Sequence, residues 1–265
     1  MTVKDIPGVP EYQCEEYVPK ASRYCVLIPI INEGGRIRHE LERAQAAGVP
    51  GLADLVICDG GSTDGCTEEK ALRALGVNTL LTKTGPGRQG AQLRMGFWFA
   101  LQRGYEGIVT IDGNDKDSIE SVPLFLEKLE QGFDFVQGSR FIRGGVAEHT
   151  PPVRWLAVRL IHAPVISLTA GVRFTDTTNA FRAYSRRYLE DARVQPFRDV
   201  FSGYELLAYL STRAGQLKLR CCEVPVARRY PANEPAPTKI KGMRGNFDLL
   251  RILFANARGC YLPKG

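Results

Sequence analysis

Val109-Thr110-Ile111-Asp112-Gly113-Asn114-Asp115-Lys116-Asp117 is the stretch on which the reading of this chain turns. Residues 107–111 form an apolar run with the length of a buried strand. The run stops in a patch holding three carboxylates and one amide within six residues. Strands of open α/β sheets present their ligands at their carboxyl ends. Clustered oxygen donors at such an end suit a hard divalent cation, Mg²⁺ or Mn²⁺. A cation there points to a phosphate-bearing substrate. For the segment taken alone, a solvated acidic turn is the plainer alternative.

The flanking sequence extends the pattern. Residues 24–29 and 55–58 are further apolar runs, read as buried strands, and 77–82 as a third, shorter one. Helices are expected over 34–47, 67–75 and 91–103, with Gly48 and Gly76 ending the first two. Alternation of this kind implies an α/β fold: a mostly parallel central sheet with helices on both faces, its strand ends lining one crevice. The second half is less regular. It reads as a helix over 122–131, a strand over 133–137, a long helix over 153–170 bent at Pro164, a helix over 204–214 and a strand over 217–226. A Pro-rich loop follows at 231–237, then an amphipathic helix over 245–258. The expected organisation is an irregular arm over 1–22, one α/β domain over 23–242 and a basic amphipathic helix over 243–265.

With 44% hydrophobic and 24% charged residues, the composition is that of an ordinary globular chain. No run of 18 apolar residues occurs, so a spanning helix is not expected. Seven cysteines without a C-x-x-C pair, and no export signal, favour reduced thiols and a cytoplasmic chain. Three scattered histidines form no zinc motif. The net charge of +6 is uneven: residues 213–265 carry eleven Lys/Arg and three Asp/Glu, a balance of +8 that leaves −2 for the remainder. Such asymmetry suggests an anionic partner, either a phosphorylated substrate or a membrane surface. The aromatic–basic interleaving expected of a nucleic-acid binder is missing.

Two other strand ends repeat the theme of the first. One reads Pro29-Ile30-Ile31-Asn32-Glu33, the other Asp59-Gly60-Gly61-Ser62-Thr63-Asp64-Gly65. Glycines allow close approach of backbone to a ligand, and Ser62, Thr63 and Asp64 would also serve as helix caps. With Asp112-Gly-Asn114, these segments resemble, in order and spacing, the P-x-Y-N-E, V-D-D-G-S-x-D-G and D-x-D motifs of the family 2 glycosyltransferases, which have the GT-A fold. Further on, residues 138–145 (Gly-Ser-Arg-Phe-Ile-Arg-Gly-Gly) and 176–184 (Asp-Thr-Thr-Asn-Ala-Phe-Arg-Ala-Tyr) are similar to motifs of the dolichol-phosphate mannosyltransferase branch. Glu223-Val224-Pro225 and residues 238–242 are similar to two more. Three departures stand out. Ile31 replaces the usual Tyr, Gly60 the second Asp of V-D-D, and Asn114 the second Asp of D-x-D. The position that is often Gln, a third metal ligand, is Lys116, which cannot ligate while protonated. Asp115 or Asp117 could take its place, or Asp112 and the diphosphate could hold the ion.

The resemblance implies roles. Pro29, Asn32, Glu33, Asp59, Gly61, Ser62, Asp64, Arg88 and Asp112 would bind the nucleotide sugar, with Arg228, Arg229 and Lys239 on a mobile basic loop that closes over the diphosphate. Asp112 and Asn114 would hold Mg²⁺ or Mn²⁺. Arg140, Arg154 and Arg182 would face the acceptor, and Asp112, Arg140 and Asp176 would be catalytic. Asp176 is either a general base or a brace for its own loop. The implied reaction is inverting transfer of a hexose from GDP-mannose or a UDP-hexose to a polyprenyl phosphate, as in cell-envelope polysaccharide synthesis. A hydroxyl acceptor and a non-catalytic nucleotide-sugar-binding subunit are the alternatives. A lipid acceptor would place the chain peripherally at the inner face of the membrane. The C-terminal helix is then either a membrane-surface element or an ordinary packed one.

Overall fold

The computed structural model describes residues 1–231 and 242–263. A nine-stranded mixed sheet runs through the molecule. In chain order its first elements are β1 (Thr2–Val3), β2 (Tyr12–Glu16), β3 (Tyr24–Ile30), α1 (Gly35–Ala46), β4 (Asp54–Asp59), α2 (Glu69–Ala74), β5 (Val77–Lys83), α3 (Gln89–Gln102) and β6 (Gly107–Thr110). The chain continues through α4 (Val122–Glu130), β7 (Phe135–Ser139), β8 (Val146–Glu148), α5 (Pro152–Ala157), α6 (Ala163–Ala170), β9 (Arg182–Ser185) and α7 (Arg186–Glu190). It ends with α8 (Glu205–Gln216), β10 (Cys221–Pro225), β11 (Ala227–Arg229) and α9 (Gly242–Ala257). The sheet order is β1-β2-β5-β4-β3-β6-β9-β7-β10. Strands β5, β4, β3 and β6 are mutually parallel, as the alternation predicts. Every residue of β3, β4 and β6 is buried, which accounts for their uninterrupted apolar sequences. One apolar core lies on each face, one centred on α3 and α8, the other on α1 and α4.

The structure departs from the sequence reading in four places. The arm over residues 1–22 is not irregular: β2 pairs antiparallel with β5 and β1 pairs with β2. Tyr12 and Cys14 point inward while Gln13 and Glu15 point out, a period-two pattern only five residues long. Strand β9 enters antiparallel between β6 and β7. A second, two-stranded parallel sheet joins β8 to β11. The helix over 152–170 is not bent at Pro164 alone. Its middle, Val158–His162, is a π turn that links α5 to α6 immediately before that proline, where no N–H is available for a regular helical bond.

The C-terminal helix α9 packs on α8. Leu253 is buried, and the Asn256 amide donates to Ala208 O at 3.2 Å and to Thr212 Oγ1 at 3.1 Å. This is a helix packed on one side, with Phe247 and Phe254 exposed.

Candidate active site

Three strand ends meet at one edge, and their loops are bonded to one another. The Asp59 carboxylate, at the end of β4, accepts from the N–H groups of Gly61 and Ser62 (3.0 Å each) and from Ser62 Oγ (2.6 Å). Gly61 has φ +94°, a conformation that L side chains rarely adopt. Ser62 Oγ in turn accepts from Asn32 N–H at 2.9 Å, and Asn32 Oδ1 accepts from Thr63 N–H at 2.8 Å. Asp64 accepts from Gly34 N–H at 2.8 Å, and hydrogen bonds, first with Cys66, hold its carboxyl below the usual range. Glu33 receives a forked contact from Arg36 at 3.1 and 2.9 Å. Beneath them, the buried Gln92 amide donates to Ile30 O and Cys58 O at 2.7 and 2.8 Å, tying the ends of β3 and β4 together. Pro29 is buried within β3. These residues form a rigid double loop that presents backbone and the exposed Asn32 to the crevice.

The loop after β6 is set by close packing. A Cβ on Gly113 would lie 2.5 Å from Ile30 Cγ2, so only glycine allows the turn between Asp112 and Asn114. Asp115 takes φ +58° and is pulled to α1, bonding His39 at 2.5 Å and Arg43 at 2.7 Å, while its N–H donates to Glu40 at 2.8 Å. Burial pushes the Glu40 carboxyl well up. Arg43 also holds Glu120 and the Asp117 carbonyl. Asp115 thus faces away from Asp112. Asp112 accepts from Gln89 Nε2 at 2.8 Å and lies 3.5 Å from Arg228 Nη2. The fully buried Asp117 pairs with Arg228 Nη1.

Arg228 reaches the site because β11 pairs with β8 and bridges to Asp117. Beyond it lies Tyr230, whose ring has Lys116 Nζ at 5.4 Å, Arg228 at 5.7 Å and Arg154 at 5.9 Å from its centroid. The Tyr230 hydroxyl accepts from Arg154 Nη1 at 3.0 Å. Burial raises its phenol, but the charges of Arg228 and Arg154 outweigh this and lower it to about 8. Burial brings the Lys116 ammonium down to about 8, aided by Arg228. Tyr204, at the head of α8, lies within electrostatic reach of Asp112, Arg154 and Arg88, and burial pushes its phenol up. Arg88 is exposed at the start of α3.

Among the described residues no group of three or more His, Cys, Asp or Glu is arranged to hold a metal. The residues that remain do fit a divalent ion bound jointly with substrate phosphates. Asp112 supplies a partly exposed carboxylate, and Asn114 Oδ1 is a buried oxygen with no hydrogen-bond partner. Mg²⁺ is commonly held by one or two protein oxygens plus phosphate.

Several expected site residues have other work. Arg140 and Asp176 form a buried bidentate pair, 2.6 and 2.9 Å, with a further bond from Arg140 to Thr178 Oγ1 at 3.0 Å. Asp176 is fully buried, so it braces its loop and is not placed as a general base. Glu223, the Glu of the E-V-P motif, accepts from Thr175 and Asp176 N–H and orders the same loop. Arg182 does not face an acceptor: it is 1% exposed and donates to the carbonyls of Asn179, Leu207 and Thr177. Arg229 is exposed and pairs with Glu148 at 3.0 Å. Lys239 lies outside the described residues. Sequence reasoning passed over Gln89, Glu40, Arg43 and Tyr230, and it placed Arg228 only on the basic loop. Only the basic pair at 228–229 beside the Pro-rich loop hinted at the last.

Comparison with known proteins agrees with this layout. No protein-family model matches the chain. It is 26% identical over 267 residues to polyprenol monophosphomannose synthase of Mycolicibacterium smegmatis, covering 96% of each chain. It is 28% identical over 223 residues to undecaprenyl-phosphate mannosyltransferase of Micrococcus luteus, covering 83% of this chain and 88% of the relative. The chain is thus similar to polyprenyl-phosphate glycosyltransferases. Its fold matches glucosyl-3-phosphoglycerate synthase from Mycobacterium tuberculosis, solved with Mn²⁺, UDP and phosphoglyceric acid, at TM-score 0.62 and 19% identity, over 91% of this chain and 80% of that one. The match shows a GT-A architecture for this chain, and the double loop at β3 and β4 with Asp112 occupies the carboxyl edge where such sheets bind ligands.

One further surface stands out. The helix Pro152–Ala170 is the one described helix long and apolar enough to cross a membrane. Val153, Leu156, Leu160, Pro164 and Leu168 form a stripe along it, all exposed, with Leu168 at 84% and Val153 at 76%. Its opposite side, Val158, Ala163, Ile166 and Ala170, is buried, the last two within the core shared with α8. Arg159 stacks on Trp155, 4.9 Å from the ring centroid, beside the stripe.

Proposed function

We propose that this enzyme transfers a hexose from a nucleoside-diphosphate sugar to a polyprenyl phosphate, working as a peripheral protein on an anionic membrane surface. One observation carries the lipid reading: Arg154 belongs to the helix with the exposed apolar stripe and also bonds Tyr230 beside Asp112. A helix whose other side packs in the core lies in the interface plane rather than across it. Arg154 and Arg159 supply charge complementary to anionic headgroups. A lipid phosphate held at that surface meets the site through Arg154.

The double loop of β3 and β4 holds the base and ribose, using Asn32, Glu33 and the backbone around Gly61. Arg88, at the head of α3, and Arg229 flank the donor. Asp112 and the Asn114 amide would hold Mg²⁺ or Mn²⁺ with the diphosphate, and the ion would supply charge neutralisation on the leaving group. Gln89 orients the Asp112 carboxylate. Arg228 places a positive charge beside the same diphosphate in a site with little water, where preorganised charge is most effective. A phosphate oxygen of the acceptor attacks the anomeric carbon and forms the new C–O bond as the bond to the nucleoside diphosphate breaks, inverting that carbon. The nucleophile is already anionic, so no general base is needed. This agrees with the burial of Asp176. The Arg140–Asp176 pair fixes the loop on the acceptor side.

Purified protein assayed with GDP-mannose, UDP-glucose and UDP-N-acetylglucosamine, with Mn²⁺ or Mg²⁺ and a short polyprenyl phosphate, tests this. The expected result is a sugar-bearing product that partitions into organic solvent and disappears with Asp112→Ala. Transfer only to hydroxyl acceptors overturns the lipid reading, and binding of donor without any turnover overturns the enzyme reading.

A further inference from the structure

Tyr204 stands at the crevice without a task in the reaction described above. It is the half-buried residue at the head of α8. The loop that carries it is fastened to the start of α3. Ser202 O accepts from Arg88 N–H at 2.9 Å. A Cβ on Gly90 would lie 2.5 Å from Gly203 O and 2.6 Å from Phe201 O, so only glycine lets the two segments come this close. Gln89, between these contacts, donates to Asp112 at 2.8 Å. Gly203 N–H donates to Glu205 at 2.6 Å and fixes the turn into α8. The Tyr204 side chain is held within reach of Asp112, Arg154 and Arg88, which belong to three separate segments. Its hydroxyl makes no hydrogen bond among the described residues.

In an inverting displacement the leaving diphosphate and the attacking phosphate lie on opposite sides of the anomeric carbon, with the hexose between them. Asp112 and Arg88 stand on the donor's side of that carbon and Arg154 on the acceptor's. A group surrounded by all three faces the sugar. Charged groups suit the two phosphates. A phenol is uncharged at neutral pH and both donates and accepts, which suits a sugar hydroxyl. We propose that the Tyr204 hydroxyl hydrogen-bonds one hydroxyl of the transferred hexose and so takes part in selecting the sugar. The inference rests on the hexose transfer proposed above and adds to it a specificity residue.

Steady-state transfer by the full chain, wild type against Tyr204→Phe, tests it. The acceptor is a short polyprenyl phosphate. The donors are whichever of GDP-mannose, UDP-glucose and UDP-N-acetylglucosamine the wild type uses, and the deoxy forms of that donor, each lacking one sugar hydroxyl. With the complete sugar, kcat/KM of Tyr204→Phe is expected to fall by about tenfold, the size of one lost hydrogen bond. With the one deoxy donor that lacks the partner hydroxyl, the two proteins should be equal, because the bond is then missing from both. Calorimetric binding of the matching nucleoside diphosphate, which carries no sugar, should be unchanged and shows that the variant is folded. Equal falls with every donor overturn the inference, as do unchanged kcat/KM with the complete sugar and weaker binding of the nucleoside diphosphate. A change confined to the KM for polyprenyl phosphate puts the hydroxyl on the acceptor and overturns it too. In all of these cases the hexose-transfer reading stands. Absence of wild-type transfer from every donor overturns that reading and this inference together.

Discussion

The two sides of the crevice use their motif residues differently. On the donor side, Asn32, Asp59, Ser62 and Asp112 stand at strand ends, and the loops they order open onto the crevice. On the side where the resemblance puts the acceptor, Arg140, Asp176 and Arg182 are withdrawn into the protein and bonded to one another or to carbonyls. A motif thus marks where a residue type is required without stating whether the requirement is chemical or architectural. Burial separates the two. A group with all its hydrogen-bonding capacity taken up inside the fold has none left for a substrate.

The comparison can be broken by mutation. Asp112→Ala should cost transfer the most, about 10³-fold, in line with removal of a preorganised electrostatic group, with the unfolding temperature little changed. Steady-state turnover and a thermal melt check both halves of that statement. Asp176→Asn should do the reverse. It strands the buried Arg140 charge and should lower stability by about 3–5 kcal/mol, roughly 10 °C in melting temperature. Turnover per folded molecule should be retained below that melt. A normal melt with abolished turnover would make Asp176 a chemical residue after all.

A smaller effect sharpens the acceptor side. The triple variant Val153→Ser, Leu160→Ser, Leu168→Ser removes three exposed apolar groups, each worth about 1–2 kcal/mol on burial. Sedimentation with anionic phospholipid vesicles should fall by tenfold or more while donor binding is unchanged, and equal sedimentation would place the acceptor elsewhere. The smallest effect belongs to the donor loops. Ser62→Ala removes one bond to Asp59 and the acceptor for Asn32 N–H, and should cost about 1 kcal/mol in chemical denaturation.

The contrast also explains what was legible in the sequence. Strands β3, β4 and β6 are buried on both faces, so their apolar runs are continuous, and each ends abruptly in polar loop residues. Their order and the donor loops could be read directly. Strand β2 buries only Tyr12 and Cys14, too few for a period to stand out. The pairing of β8 with β11 joins residues about 80 apart and has no local signature. Arg228 and Tyr230 become site residues only through that pairing. Glu40 and Arg43 look like ordinary polar positions of an amphipathic helix until the 112–117 loop is seen to hang from them. Arg182 failed in the other direction: an arginine in a matched motif suggested an anionic partner, whereas three backbone carbonyls claim it.

The π turn at Val158–His162 has an evolutionary and practical consequence. A π turn holds one more residue than the α-helical turn it replaces. The apolar side chains before it and after it share one stripe in the register that this segment sets. Point changes within the segment alter the depth of the stripe, but loss of a single residue shifts the phase of everything downstream by about 100°. Leu168 and Pro164 would rotate off the exposed face of the stripe while every amino acid of it was still present. In this helix spelling is forgiving and length is not, so single-residue deletions between 158 and 162 should be far scarcer among functional descendants of this chain than substitutions at the same positions.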